Sequence, residues 1–166
     1  MPAVSRLAVL WDATIGEIQF RATERAPRPA GIRLQSLPIR QEQDINQAIQ
    51  KAVREQANGL VVLSSPLIYQ LRSQIGSVAL NARLPTISLF NTFPKEGGLM
   101  AYGPDFPAIY TQAAGYVARV LAGANPGELP IQRPTKFELV INLKTAKALG
   151  ITVPAPLLGR ADEVIE

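Results

Sequence analysis

Residues 97–105 read GGLMAYGPD, and residues 134–150 read PTKFELVINLKTAKALG. The first stretch predicts a short apolar strand that ends in a Tyr-Gly-Pro-Asp turn, and residues 106–122 predict a long amphipathic helix after it. The second stretch predicts a further strand followed by a short surface helix with solvated lysines. Proline and glycine concentrate in the connections 94–98 and 124–134, on either side of the first strand and its helix. That strand and helix are therefore expected to form a unit with a hinge at each end.

Upstream of this unit, strands alternate with helices. Residues 6–11 form a nearly continuous apolar run, typical of a strand buried on both faces. Residues 32–37 alternate with period two, which is typical of a strand near a sheet edge. Further strands are predicted at 60–63 and 86–90, and helices at 42–56 and 66–79. The alternation predicts an α/β protein with a three-layer αβα architecture and a doubly wound, mainly parallel sheet.

Local signals predict several helix ends. A first helix is predicted after Thr14, whose hydroxyl suits an N-cap. Its inward stripe comprises Ile15, Ile18 and Ala22, and the prolines expected to end it are Pro27 and Pro29. In the next helix, the apolar stripe extends to Val53, and Asn58-Gly59 is expected to supply the left-handed residue that closes it. Ser65 and Pro66 predict the N-cap and the first position of the helix after that.

The composition excludes several classes of protein. The 166 residues suffice for one domain, and 47% hydrophobic with 18% charged residues is typical of a globular protein. Histidine and cysteine are both absent, which excludes disulfides, a Ser-His-Asp triad and the commonest metal ligands. No Gly-rich phosphate loop and no Gly-x-Ser-x-Gly motif occurs. We therefore predict a protein that is not an enzyme and that holds no cofactor and no metal.

The charge and the N-terminus give two further expectations. The net charge is +4, but the basic residues are scattered among acidic and apolar ones, so no nucleic acid partner is expected. Residues 1–6 contain no basic region followed by an apolar stretch and a small-residue cleavage site. No signal peptide is therefore predicted on this chain.

In a doubly wound sheet, ligands bind at the carboxyl ends of the strands, and the side chains predicted there define a candidate site. The candidate ligand-binding residues are Trp11, Asp12, Ser64, Ser65, Asn91, Tyr102, Gly103 and Asp105. Their hydroxyl, amide, aromatic and carboxylate groups suit a small zwitterion with an apolar part. Structural roles remain open for four of them. These roles are a helix cap for Ser65 and Asp105, the core for Trp11 and a turn for Asn91.

Three separated blocks carry a family resemblance: GGLMAYGPD at 97–105, PTKFELVINLKTAKALGI at 134–151 and LLGRADEVIE at 157–166. In this order they resemble the C-terminal part of the solute-binding proteins that serve ABC importers, in the subfamily associated with aromatic amino acids such as tryptophan and tyrosine. The resemblance extends from about residue 7 to the C-terminus. It implies the type I periplasmic binding protein fold, in which the ligand lies between two lobes, and it implies that this chain supplies one lobe.

Further expectations follow from this resemblance alone. Residues 1–97 with 135–166 would form the C-terminal lobe, and residues 98–134 would form a crossover strand–helix unit that packs on an N-terminal lobe. Asp105, the acid after Tyr-Gly-Pro, would contact the amino group of the ligand, whereas Asp12 departs from the Asn that related sequences often carry. The resemblance also implies an amino acid-like solute, an ABC permease as partner and a periplasmic or other extracytoplasmic location.

The sequence is compatible with two functions from different classes. The first is one side of an interlobe site that binds solute. The second is a truncated lobe that binds no solute and self-associates, as a homo-oligomer, through the exposed cleft and the crossover helix. In either case we expect the apolar face of the helix at 106–122 to be covered by folding back or by a second copy of the chain. A small regulatory or enzymatic flavodoxin-like domain is disfavoured by the missing histidine and phosphate motifs.

Overall fold

The computed structural model describes residues 4–26 and 31–166, and this part of the chain contains a seven-stranded sheet. The strands are β1 (Arg6–Asp12), β2 (Arg33–Ile39), β3 (Gly59–Val62), β4 (Thr86–Ser88), β5 (Met100–Pro104), β6 (Phe137–Asn142) and β7 (Glu163–Ile165). Their order in the sheet is β2-β1-β3-β4-β5-β6-β7. All neighbouring pairs are parallel except β5 and β6, which are antiparallel. The predicted α/β class with a mainly parallel sheet is confirmed.

Helices connect these strands. The α-helices among the described residues are α1 (Ile18–Arg25), α2 (Asp44–Arg54), α3 (Pro66–Gln70), α4 (Arg72–Asn81), α5 (Phe106–Leu121), α6 (Leu143–Leu149) and α7 (Ala155–Leu158). Two 3-10 turns lie at Phe93–Glu96 and Pro126–Glu128. The helix predicted at 66–79 is divided at Leu71 into α3 and α4. In the described part of the chain, no helix is both long enough and apolar enough to cross a membrane.

The main core lies between the sheet and helices α2 and α4. The residues that α2 buries are Ile45, Ala48, Ile49 and Ala52, at the predicted three- and four-residue steps. Val53 was expected in this stripe but is 46% exposed, because it is rotated about 100° from Ala52, past the edge of the buried face. The left-handed residue after α2 is Gln56, with φ 59°, and not Gly59, which begins β3 and is buried.

The first helix differs from its prediction. Helix α1 begins later than expected, at Ile18, and none of its residues is buried. The predicted inward residues Ile15 and Ile18 are 53% and 82% exposed, and Ala22 is also exposed. The physical reason is that α1 meets the sheet through the ring of Phe20, which stacks on Trp11 with centroids 5.4 Å apart. The two prolines expected to end this helix lie outside the described residues.

Strand β5 is a central member of the sheet, between β4 and β6. Residues 98–134, the expected crossover unit, thus begin with a strand that is part of this sheet. The strand belongs to the sheet because its backbone pairs on both sides, with Met100 opposite Ile87 of β4 and Ile141 of β6. Helix α5 leaves the sheet directly after β5, and no residue of α5 is buried. Its packing on a further lobe remains a prediction.

Candidate functional site

The carboxyl ends of β1, β3, β4 and β5 lie along one edge of the sheet, because these strands are parallel. The polar residues at or after these ends are Asp12, Ser64, Ser65, Asn91 and Asp105. The structure distributes them among a cleft, a hydrogen-bonded cluster around Asp12 and an ion-pair network around Asp105.

A cleft with a volume of about 720 Å³ lies beside the ends of β3 and β4 and the start of α5. Its lining residues are Ser64, Ser65, Pro66, Tyr69, Leu89, Phe90, Asn91, Thr92, Lys95, Phe106, Pro107, Tyr110 and Glu163. We call it the aromatic cleft because four of these side chains carry aromatic rings. Tyr69 is 41% exposed and Tyr110 is 70% exposed, so the cleft is open to solvent on their side.

Phe90 occupies the middle of the aromatic wall. Its ring meets Tyr69 edge-on, with centroids 5.0 Å apart, and stacks on Phe106 at 5.9 Å. The guanidinium of Arg72 lies over the Tyr69 ring, 4.5 Å from its centroid, and approaches Glu96 at 3.5 Å. Contacts among the rings and with this cation hold the wall in place. The wall therefore presents preformed apolar surface to a ligand.

Lys95 and Glu163 are the charged residues among the described side chains that line the cleft. Lys95 Nζ lies 2.8 Å from Glu163 Oε1, and both side chains are about half exposed. Lys95 belongs to the 3-10 turn after β4, whereas Glu163 is the first residue of β7. The pair therefore joins two elements that are far apart in the sequence.

Asp12 is a buried carboxylate at the end of β1. Its Oδ1 accepts hydrogen bonds from the backbone N–H of Thr14 at 2.8 Å and from the Thr14 hydroxyl at 2.6 Å. Thr14, predicted as an N-cap, thus binds Asp12 instead. Burial raises the pKa of Asp12, but hydrogen bonds from Thr14 and Ser65 and the charge of Arg40 outweigh burial, so this pKa lies below its usual value. Asp12 is a charged carboxylate with its partners already in place.

The two serines after β3 have defined partners. Ser65 Oγ accepts the backbone N–H of Ile68 at 3.0 Å and so caps α3, with Pro66 at the first helical position, as predicted. The side-chain amide of Gln19 holds Ser64: it donates to the Ser64 carbonyl at 2.9 Å and accepts the Ser64 N–H at 3.2 Å. Ser64 and Ser65 therefore line the cleft from a rigid position.

Asp105 lies in a network of charges at the neck where the chain leaves and re-enters the sheet. Its Oδ1 accepts the Ala108 N–H at 3.0 Å, which caps α5 as predicted, and its Oδ2 lies 2.8 Å from Lys136 Nζ. Lys136 also contacts Glu138 Oε1 at 3.2 Å, and Asn91 Nδ2 donates to Glu138 Oε2 at 2.9 Å. Asp105 does not line the cleft, but this network connects it to Asn91, which does.

The network shifts the pKa values of Asp105 and Lys136. The Lys136 ammonium and the Ala108 N–H hold the pKa of Asp105 below its usual value of 3.8. Asp105 and Glu138 in turn raise the pKa of Lys136 above its usual value of 10.5. Both groups are therefore charged over a wide range of pH, and Asp105 already has an ammonium partner.

The other candidate residues, Trp11, Tyr102 and Gly103, do not line the cleft. Trp11 is 8% exposed and donates its Nε1–H to Ser36 Oγ at 2.8 Å, as a core residue does. Tyr102 is 57% exposed and stacks on Phe137. Gly103 is buried in β5, and a Cβ at this position would lie 1.9 Å from the Leu89 carbonyl oxygen.

Sequence reasoning missed several cleft residues. Phe106 and Tyr110 follow Asp105 at helical spacing on one face of α5, and this spacing was a usable signal. Tyr69 lies in the first turns of the helix that Ser65 caps, and its position close to the cap was an equally usable signal. Nothing in the sequence joins Lys95 to Glu163, because their contact depends on the pairing of β7, a strand that no pattern predicted.

A second concavity lies on α5. It is a groove of about 590 Å³ between the helix and residues 126–132, which fold back along it. The helix residues that line it are Ile109, Gln112, Ala113, Tyr116, Val117, Val120 and Leu121. The Tyr116 hydroxyl donates to the Pro130 carbonyl and holds the returning segment. Leu121 and Ile131 nevertheless remain 82% and 98% exposed.

The titratable side chains do not form a metal centre. In residues 4–26 and 31–166, no three or more Asp and Glu side chains converge closely enough to hold an ion. The chemistry available at the carboxyl edge is therefore that of aromatic faces, hydroxyls, amides and paired charges.

The family model described as "ABC transporter substrate binding protein" matches residues 1–165. Among curated proteins, none matches this chain.

Solved structures resemble the chain over almost its whole length. A conserved domain protein from Vibrio cholerae matches with a TM-score of 0.83 at 25% identity, and an ABC domain from Streptococcus pneumonia in complex with L-Trp matches with 0.88 at 21%. A ligand-free, open substrate-binding protein with adhesive properties from Clostridium difficile matches with 0.73 at 17%. Each match covers 99% of this chain, but only 56%, 56% and 55% of the respective solved chain. The chain thus spans little more than half the length of the structures it resembles.

Proposed function

Because this chain belongs to the family of ABC transporter substrate-binding proteins, we propose that it binds an amino acid-like solute in the aromatic cleft and supplies one side of an interlobe site. The observation that carries the proposal is the ring wall of Tyr69, Phe90 and Phe106 at the carboxyl ends of parallel strands. A concave, mainly apolar surface with a few polar groups is the usual form of a small-molecule site.

The lining of the cleft favours a solute with a large apolar side chain. Phe90 and its neighbouring rings offer faces and edges on which an aromatic side chain packs in offset or edge-on geometry. The Streptococcus domain, of the same fold, was solved with L-Trp. Aromatic amino acids are therefore the first class of solute to test.

In a longer protein that carries a further lobe, we propose import as the role of this site. Solute would be enclosed when two lobes close, with hinges where the chain leaves β5 and enters β6. An ABC permease would be the partner of the closed form, and the location would be extracytoplasmic. The support for these steps is membership of the family and the share of the solved chains that this chain spans.

We further propose that the site is not catalytic. The two carboxylates at the strand ends, Asp12 and Asp105, are held by hydrogen bonds that lower the pKa of both. A general acid or base works best when its pKa lies near the working pH. Charged carboxylates with low pKa values suit the binding of a cation or a structural role better than proton transfer.

The test is a titration of the purified chain with L-Trp, L-Tyr, L-Phe, L-Leu and L-Ser, followed by NMR chemical-shift changes. A closed cleft with a Kd of roughly 1 μM has a binding free energy of about −8 kcal/mol. Half of this binding free energy, for one side of the cleft alone, corresponds to a Kd of about 1 mM. We expect the aromatic amino acids to bind in this weak range and L-Ser not to bind. Phe90→Ala should weaken binding about tenfold, because a ring contact of about 1.4 kcal/mol is lost.

Phe137→Ala is the matched control. Phe137 also stacks on a ring, that of Tyr102, but neither lines the cleft, so binding should be unchanged. Circular dichroism should show both variants folded. The proposal is wrong if the wild type binds none of the amino acids, or if the two variants lose affinity equally.

A second candidate function, self-association, rests on the groove of α5. Helix α5 has no buried residue, and Arg119 is the charged side chain in its 16 residues, so a second copy would meet little charge repulsion. Val117, Leu121 and Ile131 are exposed along one continuous apolar face. For the chain of 166 residues, we propose that a second copy covers this face, and a further lobe would do so in a longer protein.

A further inference from the structure

The aromatic cleft contains one ion pair. Lys95 and Glu163 lie 2.8 Å apart within a lining that otherwise consists of rings, aliphatic side chains, hydroxyls and an amide. A solute that enters the cleft therefore meets one positive and one negative group, side by side, next to the ring of Phe90.

This ion pair is suited to open. The Lys95 and Glu163 side chains are 54% and 46% exposed, and an exposed pair of this kind contributes little to the stability of the fold. The two side chains come from different elements, so each can rotate without moving the other's backbone. When the pair opens around a ligand with two opposite charges, one ion pair is lost and two are formed, one with Lys95 and one with Glu163.

Asp105 is less suited to this task. Its Oδ1 is engaged by the Ala108 N–H and its Oδ2 by Lys136, and it does not line the cleft. An incoming ammonium would have to displace Lys136 from between two carboxylates. The recognition of charge therefore falls to residues inside the cleft.

We propose that Lys95 and Glu163 are the specificity-determining residues of the aromatic cleft: Lys95 binds the carboxylate of the solute and Glu163 binds its ammonium. The ligand class is then a free zwitterionic amino acid whose side chain packs on Phe90. This inference rests on the proposed function of the cleft. It assigns to Glu163 the role that sequence resemblance assigned to Asp105.

The test uses three ligands that share an indole ring: L-tryptophan, tryptamine without the carboxylate, and indole-3-propionate without the ammonium. Lys95→Gln should lower the affinity for L-tryptophan and indole-3-propionate about tenfold, as expected for the loss of a charge-assisted hydrogen bond, and leave the affinity for tryptamine unchanged. Glu163→Gln should lower the affinity for L-tryptophan and tryptamine by a similar factor and leave the affinity for indole-3-propionate unchanged. Lys147→Gln, at an exposed position of α6, is the control and should change nothing.

Asp105→Asn decides between the two acids. Asn caps a helix as well as Asp does, so the fold of α5 should survive. If Asp105→Asn weakens the binding of tryptamine and Glu163→Gln does not, the inference is overturned while the proposed function stands. It is also overturned if the wild type binds L-tryptophan and the two cleft variants weaken all three ligands equally. A wild type that binds none of the three overturns the proposed function, and the inference with it.

Discussion

Gly103 lies in β5 where the backbone of the loop after β4 passes directly over it. A Cβ at this position would lie 1.9 Å from the carbonyl oxygen of Leu89 and 2.8 Å from its carbon. Gly103→Ala should therefore lower the free energy of unfolding by about 1–3 kcal/mol, because backbone must move to admit the methyl group. Urea denaturation measures this change.

Gly115→Ala is the control for this substitution. Gly115 lies in α5, where a new Cβ would meet nothing within 4 Å beyond the backbone of its own helix, so Ala should be neutral or should stabilise by up to about 1 kcal/mol. If Gly103→Ala unfolds at the same urea concentration as wild type, the steric account of Gly103 fails. A loss of solute affinity without a loss of stability would instead favour the ligand-binding role predicted for Gly103.

Roles that depend on neighbouring residues could be predicted from the sequence. Ser65 before Pro66 and Asp105 before Phe106 were predicted as caps, and each makes that hydrogen bond, because a cap needs only residues within one turn of helix. The cleft partners of these residues could not be predicted in the same way. Glu163 meets Lys95 only when β7 pairs with β6, and a short strand of three residues has too little pattern to be recognised.

At the scale of elements, periodicity identified faces but not what covers them. The stripe of α2 is buried against the sheet, whereas the residues of the α1 stripe are exposed. The same spacing produced both predictions, because an apolar face indicates that a helix packs on a partner. It does not indicate which element that partner is. The antiparallel pairing of β5 with β6 was also missed, because alternating strands and helices predict parallel pairs and α5 interrupts this one.

The exposed face of α5 leads to a prediction about assembly. If a second copy covers the groove, Val117→Asp should weaken the dimer at least tenfold, because a carboxylate would be buried without a partner. Val117 is 58% exposed in the single chain, so the fold itself should tolerate the change. Sedimentation velocity over a range of concentrations measures the effect.

Ala118→Asp is the matched control, since residue 118 is next to Val117 in sequence but does not line the groove. It should sediment as the wild type does. A wild type that stays monomeric at every concentration contradicts self-association through α5, and so does an equal effect of the two substitutions.

At the scale of the whole molecule, one sheet with a hydrophobic core supports a helix that takes no part in that core. The buried hydrophobic side chains extend to Ala101 and resume at Val140, with none between them. Pro104 is paired with Phe137, and the Asp105 N–H donates to the Lys136 carbonyl, so the chain leaves and re-enters the sheet at adjacent points. The α5 segment is therefore an insertion between two strands that are already in register.

This architecture predicts that the insertion can be removed. Replacing residues 106–135 by Asn-Gly would join Asp105 to Lys136 through a two-residue hairpin turn of the favoured type. Loss of the contact between Phe90 and Phe106 should cost about 1 kcal/mol. Shortening the connection from roughly 30 residues to two gains about 2 kcal/mol of loop entropy, at about 0.6 kcal/mol per doubling of length. The shortened chain should therefore unfold cooperatively at a urea concentration close to that of the wild type.

The shortened chain also separates the two surfaces of α5. It lacks the groove, so it should sediment as a monomer, and it lacks Phe106 and Tyr110, so it should bind aromatic amino acids more weakly than the wild type. Far-UV circular dichroism should retain the signal of the sheet and of the helices outside residues 106–135. A chain that no longer folds would mean that α5 stabilises the lobe through contacts other than core burial. The division into a self-sufficient sheet and a projecting helix would then be wrong.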